Sequence, residues 1–398
     1  MTEKLAPSLL SILMLCPQYR PLVGGYEQAA ERLSIALVAR GHRVTVIAER
    51  RDSTWPTREN KGGVRIERLW CRYRPHLHVA TSLLTFAVFL LTRGRQFQIW
   101  HVHQYGLHAA LAVALGKLLR RPVVLKSTSS KDQGIHRAIQ DLPFAGIVAG
   151  RLRKVDALIC TSRETRTEAL AFGVPESRVH IIGNGVDTQV FKPRSDAQRA
   201  RLRRGLGIVA SWVVVFVGRL AEEKNPDGLL HAWQMALPHL PEGWRLVLVG
   251  DGPLHERLAA SVEAEGITSS VSLAGYRSNV EAWTAVADVF VLTSRNEGLA
   301  NTMLEAMATG LPVVSTRVSG ATELLEDTGA GTLVDIGDMK RFAKALCDLA
   351  ADPEQRKRMG RVARSVIEDR YSIDYIAERH ESLYRDLIDD VTSVRGAF

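Results

Sequence analysis

The stretch Trp212-Val213-Val214-Val215-Phe216-Val217-Gly218-Arg219-Leu220-Ala221-Glu222-Glu223-Lys224-Asn225 decides the fold class. Unbroken apolar residues stop at a glycine, a polar loop follows, and a helical pattern begins. A strand covered on both faces needs such an uninterrupted run, whereas a half-exposed strand alternates. The same unit recurs along the chain. Apolar runs at 9–15, 43–48, 99–102, 122–126, 157–160 and 179–182, then at 212–217, 245–249, 271–274, 289–292, 313–315 and 332–334, are separated by helical segments such as 26–40 and 338–351. The class expected is α/β with parallel sheets.

The chain has 398 residues, 46% hydrophobic and 24% charged. That length exceeds one ordinary domain and the composition excludes disordered and fibrous classes. The pattern pauses at Val190-Phe191-Lys192-Pro193, and a basic polar stretch to Gly207 precedes the next strand. Two doubly wound domains are therefore expected, 1–190 and 191–372, facing each other with ligands in a cleft at the carboxyl ends of their strands. Residues 373–398 form a terminal helix expected to pack back on the first domain.

Cys16, Cys71, Cys160 and Cys347 lie far apart, which argues against a disulfide scaffold and a zinc site and makes a reducing cytosol the expected compartment. Residues 1–190 hold 27 Lys and Arg against 14 Asp and Glu, a net of +13, while residues 191–398 net −4. The basic first half suits an anionic partner: nucleic acid, an anionic membrane surface or a phosphorylated ligand. It serves solubility equally well. Residues 5–16 run into Pro17-Gln18-Tyr19-Arg20 with no small-residue cleavage site, so a buried strand is expected rather than a signal segment. The apolar stretch 77–91 contains His78, Thr81, Ser82 and Thr85 and falls short of the roughly 20 residues a spanning helix needs.

Three segments can carry chemistry. Gly24-Gly25 stands between the first strand and a helix, where backbone amides approach an anion, although a plain tight turn explains the pair equally well. Arg219 and Lys224 could converge on one polyphosphate, the first as a fork and the second as a point charge. Taken alone, that segment reads better as a solvated loop in which Glu222 and Glu223 pair the bases. Arg295-Asn296-Glu297-Gly298-Leu299-Ala300-Asn301-Thr302-Met303-Leu304-Glu305 is the most specific. Glu297 sits in a turn, Gly298 to Asn301 open a helix whose amides can hold an anion, and Glu305, about two turns in, is available to a ribose diol.

The spacing Glu297-x7-Glu305, the Gly-Arg-Leu-x-x-x-Lys-Asn run at 218–225, the Asn184-Gly185-Val186-Asp187 turn, Val249-Gly250-Asp251-Gly252-Pro253 and Gly24-Gly25, in that combination, resemble family 4 glycosyltransferases of the GT-B fold. The resemblance runs through nearly the whole chain. It implies a retaining hexosyltransferase that uses a nucleotide-diphospho-sugar and needs no metal or other cofactor. Arg219 and Lys224 would neutralise the leaving diphosphate. Glu305 would bind the ribose, Glu297 the donor sugar, and amides at Gly298, Leu299, Ala300 and Asn301 its hydroxyls or phosphate. Gly24 and Gly25 would approach the phosphates, while Gly275, Tyr276 and Arg277 would read the base. One departure concerns the acceptor side: relatives carry a histidine after the strand at 122–126, where this chain has Ser127 and Thr128. Those hydroxyls, or His101, His103 or His136, are the candidates to stand in, and for His101 and His103 a structural role is at least as well supported.

A GT-B epimerase would need acid and base groups straddling one carbon, and no such pair is seen. A nucleic-acid-binding protein would leave the Glu297/Glu305 segment unused, and 6% aromatics include no stacking run. A dehydrogenase would need a GxGxxG fingerprint that is absent. The expected partners are a nucleotide-sugar and a lipid-linked or otherwise anionic acceptor, met at the inner face of a membrane during cell-surface glycan assembly, and no nucleic acid.

Overall fold

The structure is a computed structural model that describes residues 9–22, 24–74, 77–127, 134–326 and 328–396. The chain divides into two compact units, one made of Met1–Gly185 with Ile373–Phe398 and the other of Val186–Ser372. The division expected after residue 190 falls at Gly185/Val186. It lies in the Asn184-Gly185-Val186-Asp187 turn, where a Cβ on Gly185 would meet the Ile373 backbone Cα at 2.9 Å.

In unit 1 the order is β1 (Ser11–Leu15), α1 (Gly25–Ala39), β2 (Arg43–Arg50), β3 (Arg58–Lys61), β4 (Val64–Trp70), α2 (His78–Arg93), β5 (Ile99–Val102), α3 (Leu107–Leu119), β6 (Val123–Ser127), α4 (Ile135–Gln140), α5 (Ala145–Leu152), β7 (Ala157–Cys160), α6 (Arg163–Ala171) and β8 (Val179–Ile181). The sheet runs β3-β4-β2-β1-β5-β6-β7-β8 and is parallel except for its β3 edge. The hairpin β3–β4 is absent from the apolar-run reading because its residues are largely charged. Its two-residue loop, Gly62-Gly63, has φ of +57° and +78°, the pairing that a tight hairpin turn requires. Glu67 of β4 is buried because Arg93 holds it through both carboxylate oxygens, at 2.5 and 2.9 Å.

Two apolar layers cover this sheet. Leu13, Leu15, Trp100, Val102 and Leu125 face α2, α3 and α5, while Ile12, Met14, Val46, Ile99 and Val124 face α1 and the terminal helix α15 (Ile373–Gly396). Helix α15 is fastened to α1 by Arg40 donating to Glu381 at 2.8 Å. Helix α2 is apolar on two sides: Phe86, Phe89 and Leu90 are buried, and Val79, Leu84, Val88 and Leu91 are exposed. Of the five arginines flanking it, Arg68 is buried and paired with Glu59 and Arg93 is paired with Glu67, leaving Arg72, Arg74 and Arg95 on the surface. No helix among the described residues is long and apolar enough to cross a membrane.

Unit 2 contains α7 (Asp196–Gly205), β9 (Trp212–Val217), α8 (Pro226–Ala236), β10 (Trp244–Val249), α9 (His255–Ala264), β11 (Val271–Gly275), α10 (Val280–Val286), β12 (Val289–Leu292), α11 (Asn301–Ala308), β13 (Val313–Thr316), α12 (Ser319–Leu325), β14 (Gly331–Val334), α13 (Met339–Ala351) and α14 (Pro353–Arg370). Its parallel sheet runs β11-β10-β9-β12-β13-β14. Val213, Val215 and Val217 enter one core layer and Val214 and Phe216 the other, so the 212–217 run is apolar throughout because both of its faces are covered.

Candidate active site

Open α/β sheets hold ligands where the strand order reverses, because the loops leaving the two neighbouring carboxyl ends diverge there. In unit 2 that point lies between β9 and β12. The loop after β9 spans 218–225 and the loop after β12 spans 293–300. They are laced together: the Arg295 amide donates to the Glu223 carbonyl at 2.9 Å, Thr293 Oγ1 to the Lys224 and Asn225 carbonyls at 3.1 Å each, and Arg295 Nη2 to Asn225 Oδ1 at 3.3 Å. Asn225 takes a left-handed φ of +51° and hands the chain to Pro226, the first residue of α8.

These bonds bring two candidate residues together from 73 positions apart. Lys224 Nζ donates to Glu297 Oε1, and Ser294 Oγ donates to the same oxygen at 3.3 Å. The pair is largely shielded, with side chains 23% and 15% exposed. Arg219 behaves as the segment alone suggested: its guanidinium is mostly exposed and donates to Glu223 at 2.5 Å, while Glu222 accepts from Arg257 at 3.2 Å. Both cations are thus already engaged by carboxylates.

Helix α11 starts at Asn301, later than the expected opening at Gly298, with Ala300 extended before it. Glu305 consequently lies about one turn in, not two, and is buried. Gly298 and Leu299 are held against α12, where a Cβ on Gly320 would meet the Gly298 carbonyl oxygen at 2.3 Å. Gly275 ends the edge strand β11 with φ of +70° and accepts the Gly250 amide at 2.9 Å. Tyr276 beyond it is exposed, and the Arg277 guanidinium lies 6.0 Å from the Trp283 ring centre.

In unit 1, Gly24 is the extended residue before α1, and Gly25 is that helix's first residue. A Cβ on Gly24 would lie 2.3 Å from Glu27 Oε2, and burial raises the pKa of that carboxyl. His101 and His103 do not face an open surface. His101 sits in the middle of the sheet with Nδ1 2.6 Å from the Tyr384 hydroxyl of α15, and the His103 ring stacks on it at 4.2 Å with Nε2 3.3 Å from Met14 Sδ. Burial first, then neighbouring positive groups, drive both far below the ordinary imidazole pKa, so both are neutral core residues. His136 packs edge-on against Phe172 at 5.2 Å. Ser127 closes β6 and bonds the Tyr105 hydroxyl. Thr128 lies outside the described residues.

The description Glycosyltransferase Family 4 matches residues 23–190, and Glycosyl transferases group 1 matches residues 198–366. A GDP-mannose-dependent α-(1-6)-phosphatidylinositol monomannoside mannosyltransferase of Mycolicibacterium smegmatis is 31% identical over 88% of this chain and 91% of its own length. The chain belongs to glycosyltransferase family 4. An N-acetyl-α-D-glucosaminyl L-malate synthase of Bacillus anthracis is 25% identical over 93% of this chain and 96% of its own. Among solved structures, Anabaena HepE in complex with UDP superposes with a TM-score of 0.77 at 20% identity, over 95% of this chain and 100% of that one. The sucrose-phosphate synthase of Thermosynechococcus elongatus gives 0.78 at 23% identity, over 95% and 99%. The fold is GT-B, built from two Rossmann-like units, and the protein is a glycosyltransferase.

Two features of this glycosyltransferase were not legible beforehand. Tyr105, on the loop after β5, covers Ser127, a contact between residues 22 apart that no motif encodes. Lys126, inside β6, is buried, and burial lowers its pKa to about 8. A cavity of about 220 Å³ lined by Trp212, Asp288, Pro312 and Arg356 lies at the amino ends of the unit 2 strands, opposite the reversal point.

Proposed function

We propose that this glycosyltransferase is a retaining, metal-independent enzyme that moves a hexose from a nucleotide-diphospho-sugar to an acceptor hydroxyl in the assembly of a cell-surface glycan or glycolipid. The observation that carries the reading is the meeting of Lys224 and Glu297 at the strand reversal of unit 2. Negative charge accumulates on the diphosphate as the glycosidic bond breaks, and fixed cations at that position stabilise it without a metal. Lys224 and Arg219 supply two. Once Lys224 turns to the phosphates, Glu297 is released to hold the sugar hydroxyls, with the Gly298–Asn301 backbone beside it and Glu305 on the ribose. Gly275 to Arg277 flank the base, and Gly24 and Gly25 approach the phosphates. Relatives support the donor class: one is named as GDP-mannose-dependent, and HepE has been solved with UDP-glucose.

A panel of nucleotide-sugars offered to the purified protein tests this. Slow release of nucleoside diphosphate from one donor is expected, at a rate unchanged by EDTA. Release that EDTA abolishes and Mg²⁺ or Mn²⁺ restores overturns the metal-free part, and sugar isomerisation without release overturns the transfer itself.

The acceptor, in the same proposal, is lipid-linked or anionic and is met by unit 1 at the cytoplasmic membrane surface. The exposed Leu84, Val88 and Leu91 form one apolar face of α2, and Trp70, Arg72, Tyr73, Arg74, Val79 and Arg95, close to that helix in sequence, are exposed as well. Each such arginine near anionic lipid contributes about 1 kcal/mol, enough together for reversible attachment. Relatives include enzymes named for phosphatidylinositol mannoside and lipopolysaccharide core synthesis. Vesicle flotation should show binding that rises with anionic lipid and falls with salt. Protein left wholly in the soluble fraction with anionic vesicles at low salt points instead to a small soluble acceptor.

A further inference from the structure

Three metal-binding side chains that are scattered in the sequence meet at the carboxyl end of β2 in unit 1. The Glu49 oxygen, Cys71 Sγ and His78 ring nitrogen lie within 4.8 Å of one another. His108 Nε2, from α3, stands beside them, bonded to Ser82 Oγ at 2.8 Å and 3.9 Å from Glu49 Oε1. Glu49 and Cys71 are buried, whereas the His78 side chain is 24% exposed. Glu49 is held from behind: Arg51 Nε donates to its Oε2 at 2.8 Å and Ser82 Oγ to its Oε1 at 2.7 Å.

We propose that Glu49, Cys71 and His78 form a transition-metal site of the kind zinc occupies, three protein ligands with the fourth position open to water, tying the start of α2 to the end of β2. One sulfur, one imidazole and one carboxylate suit zinc or cobalt and disfavour magnesium and calcium, which take oxygen ligands. Cys71 binds as thiolate, releasing one proton to solvent, and thiolate plus carboxylate balance the divalent charge. Bonds of about 2.3 Å to sulfur and about 2.0–2.1 Å to nitrogen place tetrahedral ligand atoms roughly 3.5 Å apart, so the set contracts by about 1 Å. The part-exposed His78 can swing to allow this, giving up its 3.1 Å contact with Glu49 Oε2. Arg51 then orients the carboxylate from the outer shell, as such partners commonly do.

Cobalt(II) titrated into the full chain tests the assignment, because a thiolate ligand produces a near-ultraviolet charge-transfer band. One equivalent should raise the band and zinc should bleach it. Cys71→Ser should abolish it, and Cys347→Ser, at the least buried thiol, should leave it intact. His78→Ala, at a part-exposed position where folding is not at stake, should weaken cobalt binding by more than about 100-fold, beyond the usual outer-shell effect. No stoichiometric band in the wild type, a band that survives Cys71→Ser, or unchanged affinity in His78→Ala overturns the site and leaves a hydrogen-bonded cluster. Activity that EDTA removes and zinc alone restores, together with melting temperature, belongs to this site; restoration by Mg²⁺ or Mn²⁺ belongs to the transfer chemistry.

Discussion

Lys224→Ala is expected to weaken binding of the free nucleoside diphosphate by about 10- to 100-fold, since a hydrogen bond to a charged group contributes roughly 1.5–3 kcal/mol. A second effect adds to this: the substitution strips Glu297 of its cation and leaves a shielded carboxylate beside the incoming phosphates. Glu305→Gln should also lose affinity, by about tenfold, because the buried carboxylate that the proposed function puts on the ribose becomes an amide. Glu297→Gln should behave differently, retaining diphosphate affinity and lowering kcat by about 100-fold or more, since the proposed function puts its contacts on the sugar at the reacting bond. Arg219→Ala should cost less than Lys224→Ala because its side chain is mostly in solvent and already engaged by Glu223. Calorimetry with the free diphosphate, beside turnover with the cognate donor, separates the two classes. Unchanged affinity in both Lys224→Ala and Glu305→Gln would show that the diphosphate sits elsewhere.

Gly250→Ala is expected to be the most damaging single methyl group in unit 2. Gly250 follows β10 with φ of +146°, and a Cβ there would stand 1.8 Å from the Gly218 carbonyl oxygen. The obstacle is backbone, held in place by the Gly218 amide donating to the Val249 carbonyl at 3.0 Å, so no side chain can turn away. The loss should be on the order of 4 kcal/mol, the range in which a named steric cause is required. Gly266→Ala provides the control: its φ is +67° but nothing lies within 4 Å of the added carbon, so only the left-handed backbone penalty of about 1–2 kcal/mol applies. Thermal unfolding monitored for unit 2 should place Gly250→Ala well below Gly266→Ala. Equal melting temperatures would mean that the β9 and β10 ends can part, and with them the loop that carries Arg219 and Lys224.

The strands at 99–102, 157–160, 212–217 and 289–292 have the same bounds in sequence and structure, because a strand packed on both faces is apolar at nearly every position, buried His101 being the exception. The hairpin Arg58–Trp70 escaped that reading for the converse reason. Its buried acid and base, Glu67 and Arg68, are compensated by Arg93 and Glu59, partners that no local pattern identifies. For the site, residue types and spacing singled out Lys224, Glu297 and Glu305, since short loops between strand and helix keep neighbours in sequence close in space. What the sequence left open was the partner of each candidate. The segment alone favoured a solvated Arg219 and a structural His101, but it could not name Glu223 or Tyr384 as their partners. Only tertiary structure paired Lys224 with Glu297 across 73 residues, sank His101 and His103 beneath Tyr384 of a helix that begins 270 positions after His103, and gathered Glu49, Cys71 and His78 into one cluster. Covered strands and loop motifs are determined by local apolar pattern and backbone geometry, and so are written in consecutive residues. Burial and charge pairing depend on which strands lie side by side, and that is settled only when the whole sheet closes over its cores.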